Sequence, residues 1–172
     1  MKKGVIAAVL LAGVSACSPK ADATRDTASA GASNPVIPKP NAATVTREQF
    51  RGLKWLEGYW RGAAPGGSPF YERYVFADDS SISMYVFPDS TFGAPNDSAQ
   101  VTLRAGTLRD SGRTASWVAS HIDSTRVDFA PEWGATNTFT WQKDGDSWTA
   151  TIESGTGNSK TITVYRMRRA GR

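Results

Sequence analysis

The sequence predicts an all-β domain: an antiparallel up-and-down barrel, or a strongly curved half-barrel, of eight or nine strands with one short N-terminal helix. Three observations predict it. Turn signals recur at hairpin spacing, including Asp78-Asp79-Ser80, Asp110-Ser111-Gly112, Lys143-Asp144-Gly145-Asp146 and Gly155-Thr156-Gly157-Asn158. Between them apolar and polar residues alternate with period two, the pattern of strands that bury one face. Aromatic residues are abundant, with six Trp, five Tyr and seven Phe, and supply bulk for a core. Consecutive antiparallel strands favour a meander, and closing the meander removes its exposed edges.

The helix comes first. Thr46-Arg47-Glu48-Gln49 is a capping-box pattern, in which Thr46 bonds the Gln49 amide and Gln49 reaches back. Phe50, Leu53 and Leu56 (or Trp55) follow at helical spacing, and Gly58 ends the turn, so a helix is expected over about 47–57. Strands are expected at 59–63, 69–77, 81–87, 99–109, 114–120, 124–129, 135–142, 147–154 and 160–168. In the second, Phe70, Glu72, Tyr74 and Phe76 share one parity; in the third, Ile82, Met84 and Val86 do. Pro131-Glu132-Trp133-Gly134 is read as a break that places Trp133 on a loop. Phe139 and Trp141, then Trp148, Ala150 and Ile152, then Ile162 and Val164 are taken as one inward parity across the last hairpins.

The N-terminal 45 residues have a different character. Met1-Lys2-Lys3 precedes an apolar run from Val5 to Val14, and small residues lead to Cys17. A basic start, a short apolar core and small residues at a cut site make a secretory signal peptide, here 1–16. The apolar run is too short to span a membrane. Val14-Ser15-Ala16-Cys17 resembles the lipobox of bacterial lipoproteins, which implies cleavage before Cys17 and lipid on its sulfur and new amino group. Cys17 is the only cysteine, so it has no internal disulfide partner, and lipidation accounts for it. The resemblance implies an envelope address; Ser18 rather than Asp after the cysteine favours the outer membrane, facing the periplasm. Residues 17–45 are rich in Ala, Thr, Ser, Asn and Pro and read as a disordered tether. Residues 46–172 make the domain, which is close to neutral: fifteen Lys and Arg stand against fourteen Asp and Glu. The chain's formal charge of +4 therefore does not point to nucleic acid.

Trp55-Leu56-Glu57-Gly58-Tyr59-Trp60-Arg61-Gly62 places a Gly-x-Trp at the start of the first strand. That placement resembles the lipocalin and wider calycin barrels, in which the Trp closes the barrel base beneath an Arg of the last strand. The resemblance implies closure by Gly58, Trp60 and an Arg, taken as Arg168 rather than Arg166. Together with Tyr71-Glu72, Phe129-Ala130-Pro131 and the closing 160–169 strand, the motif is also similar to a family of uncharacterised calycin-like bacterial envelope proteins. Many members carry Asp-Phe-Pro, where this chain reads Asp128-Phe129-Ala130-Pro131. No activity comes with that family.

Tyr71, Glu72, Tyr74, Met84 and Trp133 are the candidates for ligand contact. A carboxylate at Glu72 on an inward parity would be a polar anchor in an apolar interior, and needs a partner such as Arg104 or Arg168. His121 is read as a loop or surface residue. Ser120, His121 and Asp123 cannot form a catalytic relay, because strand neighbours face opposite ways. No metal-ligand spacing, phosphate loop or cofactor motif is found, and no catalytic residue is assigned. The expected partners are the membrane, through Cys17, and a small apolar or amphipathic ligand inside the barrel. The alternative is a filled barrel acting as a structural or interaction lipoprotein. Large inward residues would favour the second and small ones the first.

Overall fold

The computed structural model describes residues 41–171. The expected signal peptide 1–16, the expected lipidation site Cys17 and the expected tether up to residue 40 lie outside the described residues. The chain forms a closed ten-stranded antiparallel barrel: β1 (Gly58–Ala63), β2 (Phe70–Phe76), β3 (Ser81–Phe87), β4 (Asp97–Arg104), β5 (Thr107–Ser111), β6 (Ser116–Ile122), β7 (Arg126–Trp133), β8 (Asn137–Asp144), β9 (Ser147–Ser154) and β10 (Thr161–Arg169). Each strand pairs with its sequence neighbours, and β10 closes onto β1 through Trp60↔Arg169 and Gly62↔Met167.

The strand count is ten rather than eight or nine because 99–109 is not one strand. It folds at Ala105-Gly106, where both residues take positive φ (48° and 74°) and β4 turns into β5. Alanine is not a signal for such a turn. Pro131, expected to break a strand, lies inside β7 opposite Trp117, where the β6–β7 register shifts between Ser116 and Trp117. A bulge is where a strand tolerates proline.

The N-terminal α1 (Arg47–Arg51) runs into a single 3₁₀ turn at Gly52–Leu56. Its capping box is formed: Gln49 N–H donates to Thr46 Oγ1 (3.2 Å), and Thr46 N–H to Gln49 Oε1 (2.9 Å). Phe50, Leu53 and Leu56 are fully buried, so the segment plugs one end of the barrel. Arg51 pairs with Asp79 in the β2–β3 turn at 2.7 Å. Val45 N–H bonds the Gly106 carbonyl in the β4–β5 turn, and Ala43 N–H bonds that of Ala119, both at 2.8 Å. Val45 is itself a core residue, so the packing of the domain includes residues before Thr46.

Strand alternation then decides what fills the interior. Inward positions carry Trp60, Tyr74, Trp117, Phe129, Phe139, Trp141 and Trp148, all 2% exposed or less. Edge-to-face and stacked pairs link them, for example Phe129–Phe139 at 4.4 Å and Trp60–Trp148 at 5.8 Å. On β10 the inward parity is Tyr165 and Met167, opposite Ala150 and Trp148. The expected inward residues Ile162 and Val164 are on the other face, and Ile162 is 57% exposed. A one-residue slip reverses every side chain of a strand, and β-branched residues on both parities of Thr161-Ile162-Thr163-Val164 hide the difference.

Candidate functional site

The plugged end is closed by Trp60 and an arginine. Trp60 Nε1–H donates to the Leu56 carbonyl at 2.6 Å. A guanidinium lies 4.0 Å over the indole, but it belongs to Arg169, not Arg168. Arg169 also donates to the carbonyls of Glu57 and of Trp55 (3.2 Å), the orphaned acceptors at the end of the helical segment. Arg168 lies on the opposite, exposed face, as the parity of β10 requires. Gly58 is needed twice over. Its φ is +117°, and a Cβ there would meet Arg169 Nη1 at 2.5 Å.

The barrel interior holds two buried carboxylates. Glu72 on β2 is 2% exposed and Asp110 on β5 is 1% exposed. Glu72 sits opposite Trp60 on one side and Val86 on the other, so strand register alone commits it to the interior. Tyr74 O–H donates to Glu72 Oε2 at 2.9 Å. Neither Arg104 nor Arg168 reaches Glu72, and no ion pair of the described residues involves either carboxylate. Glu72 Oε1 and both Asp110 oxygens are buried without a hydrogen-bond partner. Burial therefore pushes the Glu72 carboxyl up to about 7, against the opposing effect of the Tyr74 hydrogen bond. Burial, reinforced by the nearby Glu72 charge, pushes Asp110 to about 8. The Tyr74 hydroxyl is raised by its own burial and by the charge of Glu72.

Glu72, Tyr74 and Met84 line one small gap together with Trp141, Trp148, Ala150 and Met167. Its volume is about 10 Å³, the space of a single water molecule. Three of the five ligand-contact candidates thus converge, and two do not. Tyr71 is on the outer face of β2, where it packs at 5.8 Å against Phe92. Trp133 ends β7 at the opposite rim and is 63% exposed, so it is neither on a loop nor folded over the barrel mouth. His121 is exposed, with Nε2 3.1 Å from Asp123 Oδ2.

Sequence reasoning missed two residues of note. In the sequence Asp110 reads as the first residue of a turn, yet it follows Leu108 by two on a buried face. Recognising the Ala105-Gly106 turn would have revealed it. Phe92, in a stretch that reads as polar loop, is 8% exposed at φ 51° and packs on Tyr59 (4.7 Å) and Phe87 (5.2 Å) outside the barrel.

Elsewhere on the outer wall, Ser83, Tyr85, Ser98, Gln100, Ser111 and Arg113 line an open groove of about 380 Å³. Among the described residues no group of three or more His, Cys, Asp or Glu is placed to hold a metal ion. The molecule is thus, by its geometry, a closed β-barrel with an aromatic core and a carboxylate pair inside. No protein-family model, curated protein or solved structure matches the chain.

Proposed function

We propose that the chain is a lipid-anchored envelope barrel with a filled core. It is held at the periplasmic face of the outer membrane through Cys17 and works through its outer wall and loops. One observation carries the choice against a carrier of apolar or amphipathic ligands: the gap beside Glu72, walled by aromatic core residues, is about 10 Å³, whereas a small-molecule site needs some 300 Å³ or more. The lipobox-like Val14-Ser15-Ala16-Cys17 supports the anchor. The Gly58-x-Trp60 base under the Arg169 guanidinium supports a calycin-like reading of the barrel. The outer groove supports a surface role, because its hydroxyls, amide and guanidinium suit a polar partner.

The test is native mass spectrometry and thermal melting of the mature chain in detergent, with and without envelope lipid extracts. A bare protein mass and an unchanged melting temperature are expected. An extra mass of lipid size released by denaturation, or saturable stabilisation by a lipid fraction, would overturn the filled-barrel reading in favour of a carrier.

A further inference from the structure

We propose that the gap beside Glu72 is a binding site for the charged head of a small protonated primary amine, held by the Glu72 carboxylate and walled by Tyr74, Trp141 and Trp148. The starting point is an unmet demand. Glu72 lines the gap, and its Oε1 is fully buried and has no donor. A buried acceptor without a donor is costly, and more so when charged. The demand is for a hydrogen-bond donor, and for positive charge as well. Asp110 is a second buried carboxylate, close enough to feel the charge of Glu72, and among the described residues no Lys, Arg or His is paired with either.

The walls select the kind of cation. The Tyr74, Trp141 and Trp148 rings stand mutually edge-to-face, with centroids 5.6–6.0 Å apart. Aromatic rings around a carboxylate suit an organic ammonium. They do not suit calcium or magnesium, which take six or more oxygens. A quaternary ammonium has no N–H for Glu72 Oε1, whereas a primary ammonium has three. The present size admits the charged head, and Met84 and Met167 are the movable part of the wall, since unbranched thioethers change rotamer at little cost. Trp148 Nε1–H is also buried without a partner; as a donor, it takes no part in holding a cation. The inference goes beyond the filled-barrel reading, since a core closed to lipids still admits an ion-sized guest.

Binding is coupled to protons. The titratable groups facing Glu72 are Tyr74 on its own strand and Asp110 on β5. The facing residues of β1, β3, β8, β9 and β10, namely Trp60, Met84, Trp141, Trp148 and Met167, carry no charge. An amine cation needs Glu72 ionised, so its affinity rises as pH passes about 7.

The experiment titrates the full mature chain in detergent with methylammonium chloride, with tetramethylammonium and sodium chloride as controls. Tryptophan fluorescence and melting temperature are the readouts. A saturable response to methylammonium is expected, about tenfold tighter at about pH 8.5 than at about pH 6, and absent from Glu72→Gln. A Glu72→Gln melting temperature at or above wild type shows that the variant is folded. The proposal is overturned by no saturable response at the higher pH, by an equal response in Glu72→Gln, or by an equal response to tetramethylammonium. The two readings fail separately: lipid binding defeats the filled barrel, and methylammonium indifference defeats the amine site.

Discussion

Replacing Glu72 by Gln should remove most of a pH dependence that the fold builds in. In the folded chain Glu72 keeps its proton up to about 7, whereas an ordinary glutamic acid releases it near 4.5. Between those values the folded state holds more protons than the unfolded one, so raising the pH favours unfolding. The contribution of the protonated carboxyl is fully present below about pH 4.5 and is lost as pH rises through about 7. The difference is worth about 3 kcal/mol. For a domain of this size it corresponds to roughly 10 °C in melting temperature. Glu72→Gln keeps an oxygen to accept the Tyr74 hydroxyl and cannot ionise. Urea unfolding followed by tryptophan fluorescence, between about pH 5 and about pH 9, gives both curves. Wild type should lose about 2.5 kcal/mol more than Glu72→Gln across that range, and the variant should be the more stable protein at the alkaline end. Asp110 remains in both, so a residual slope up to about pH 8 is expected in each. Parallel curves would refute the reasoning, because they would mean that Glu72 ionises with water at hand and is not buried as described.

Other outcomes test other parts of the fold. Arg169→Ala should cost about 2 kcal/mol in urea unfolding, from the indole contact and the two carbonyl bonds, while Arg168→Ala should stay within about 0.5 kcal/mol. Equal effects would restore the opposite parity of β10. Gly62→Ala places a Cβ 2.1 Å from the Phe70 ring and 2.6 Å from Met167 Sδ, so a loss of about 2–3 kcal/mol is expected by the same assay. Trp133→Ser, at a 63% exposed site, should change stability by no more than about 0.5 kcal/mol. A larger loss would show that this indole packs in solution. Cys17→Ser should move the protein from the membrane to the soluble fraction of an envelope preparation; unchanged fractionation would defeat the lipid anchor.

Much of the barrel was legible because its turns and its alternation agree. The last hairpins carry Asp144-Gly145 and Gly155–Asn158 between clean alternations, and β9 is found at the residues expected for it. The capping box at Thr46 was legible for the same reason, since both of its bonds are local. What was hidden depends on partners distant in sequence. The parity of β10 is set by pairing with β1 and β9, and nothing in Thr161–Arg169 itself chooses a face. The turn at Ala105 violates the residue preference by which turns are recognised, and is held by the pairing of Leu103 with Leu108. Phe92 also adopts positive φ without glycine, in exchange for its contacts with Tyr59, Tyr71 and Phe87. In each case tertiary packing outweighs a local preference of about 1–2 kcal/mol.

Asp110 and Glu72 are a different sort of violation. Ala105 and Phe92 break a local rule, and the surroundings visibly compensate them. The two carboxylates break the rule against burying unpaired acids, yet Glu72 has one hydrogen bond and Asp110 has none among the described residues. Apolar residues of similar volume in place of buried charges commonly leave a fold as stable or more so. The barrel base is secured independently of them, by Leu56, Trp60 and Arg169. They are therefore not needed to close the fold, and they weaken it wherever they ionise. A locally costly arrangement with no structural return marks the place where a folded chain interacts with something else. In this barrel that place is the gap beside Glu72, more than the exposed Trp133 at the rim or His121 on the surface, both of which sit comfortably in water.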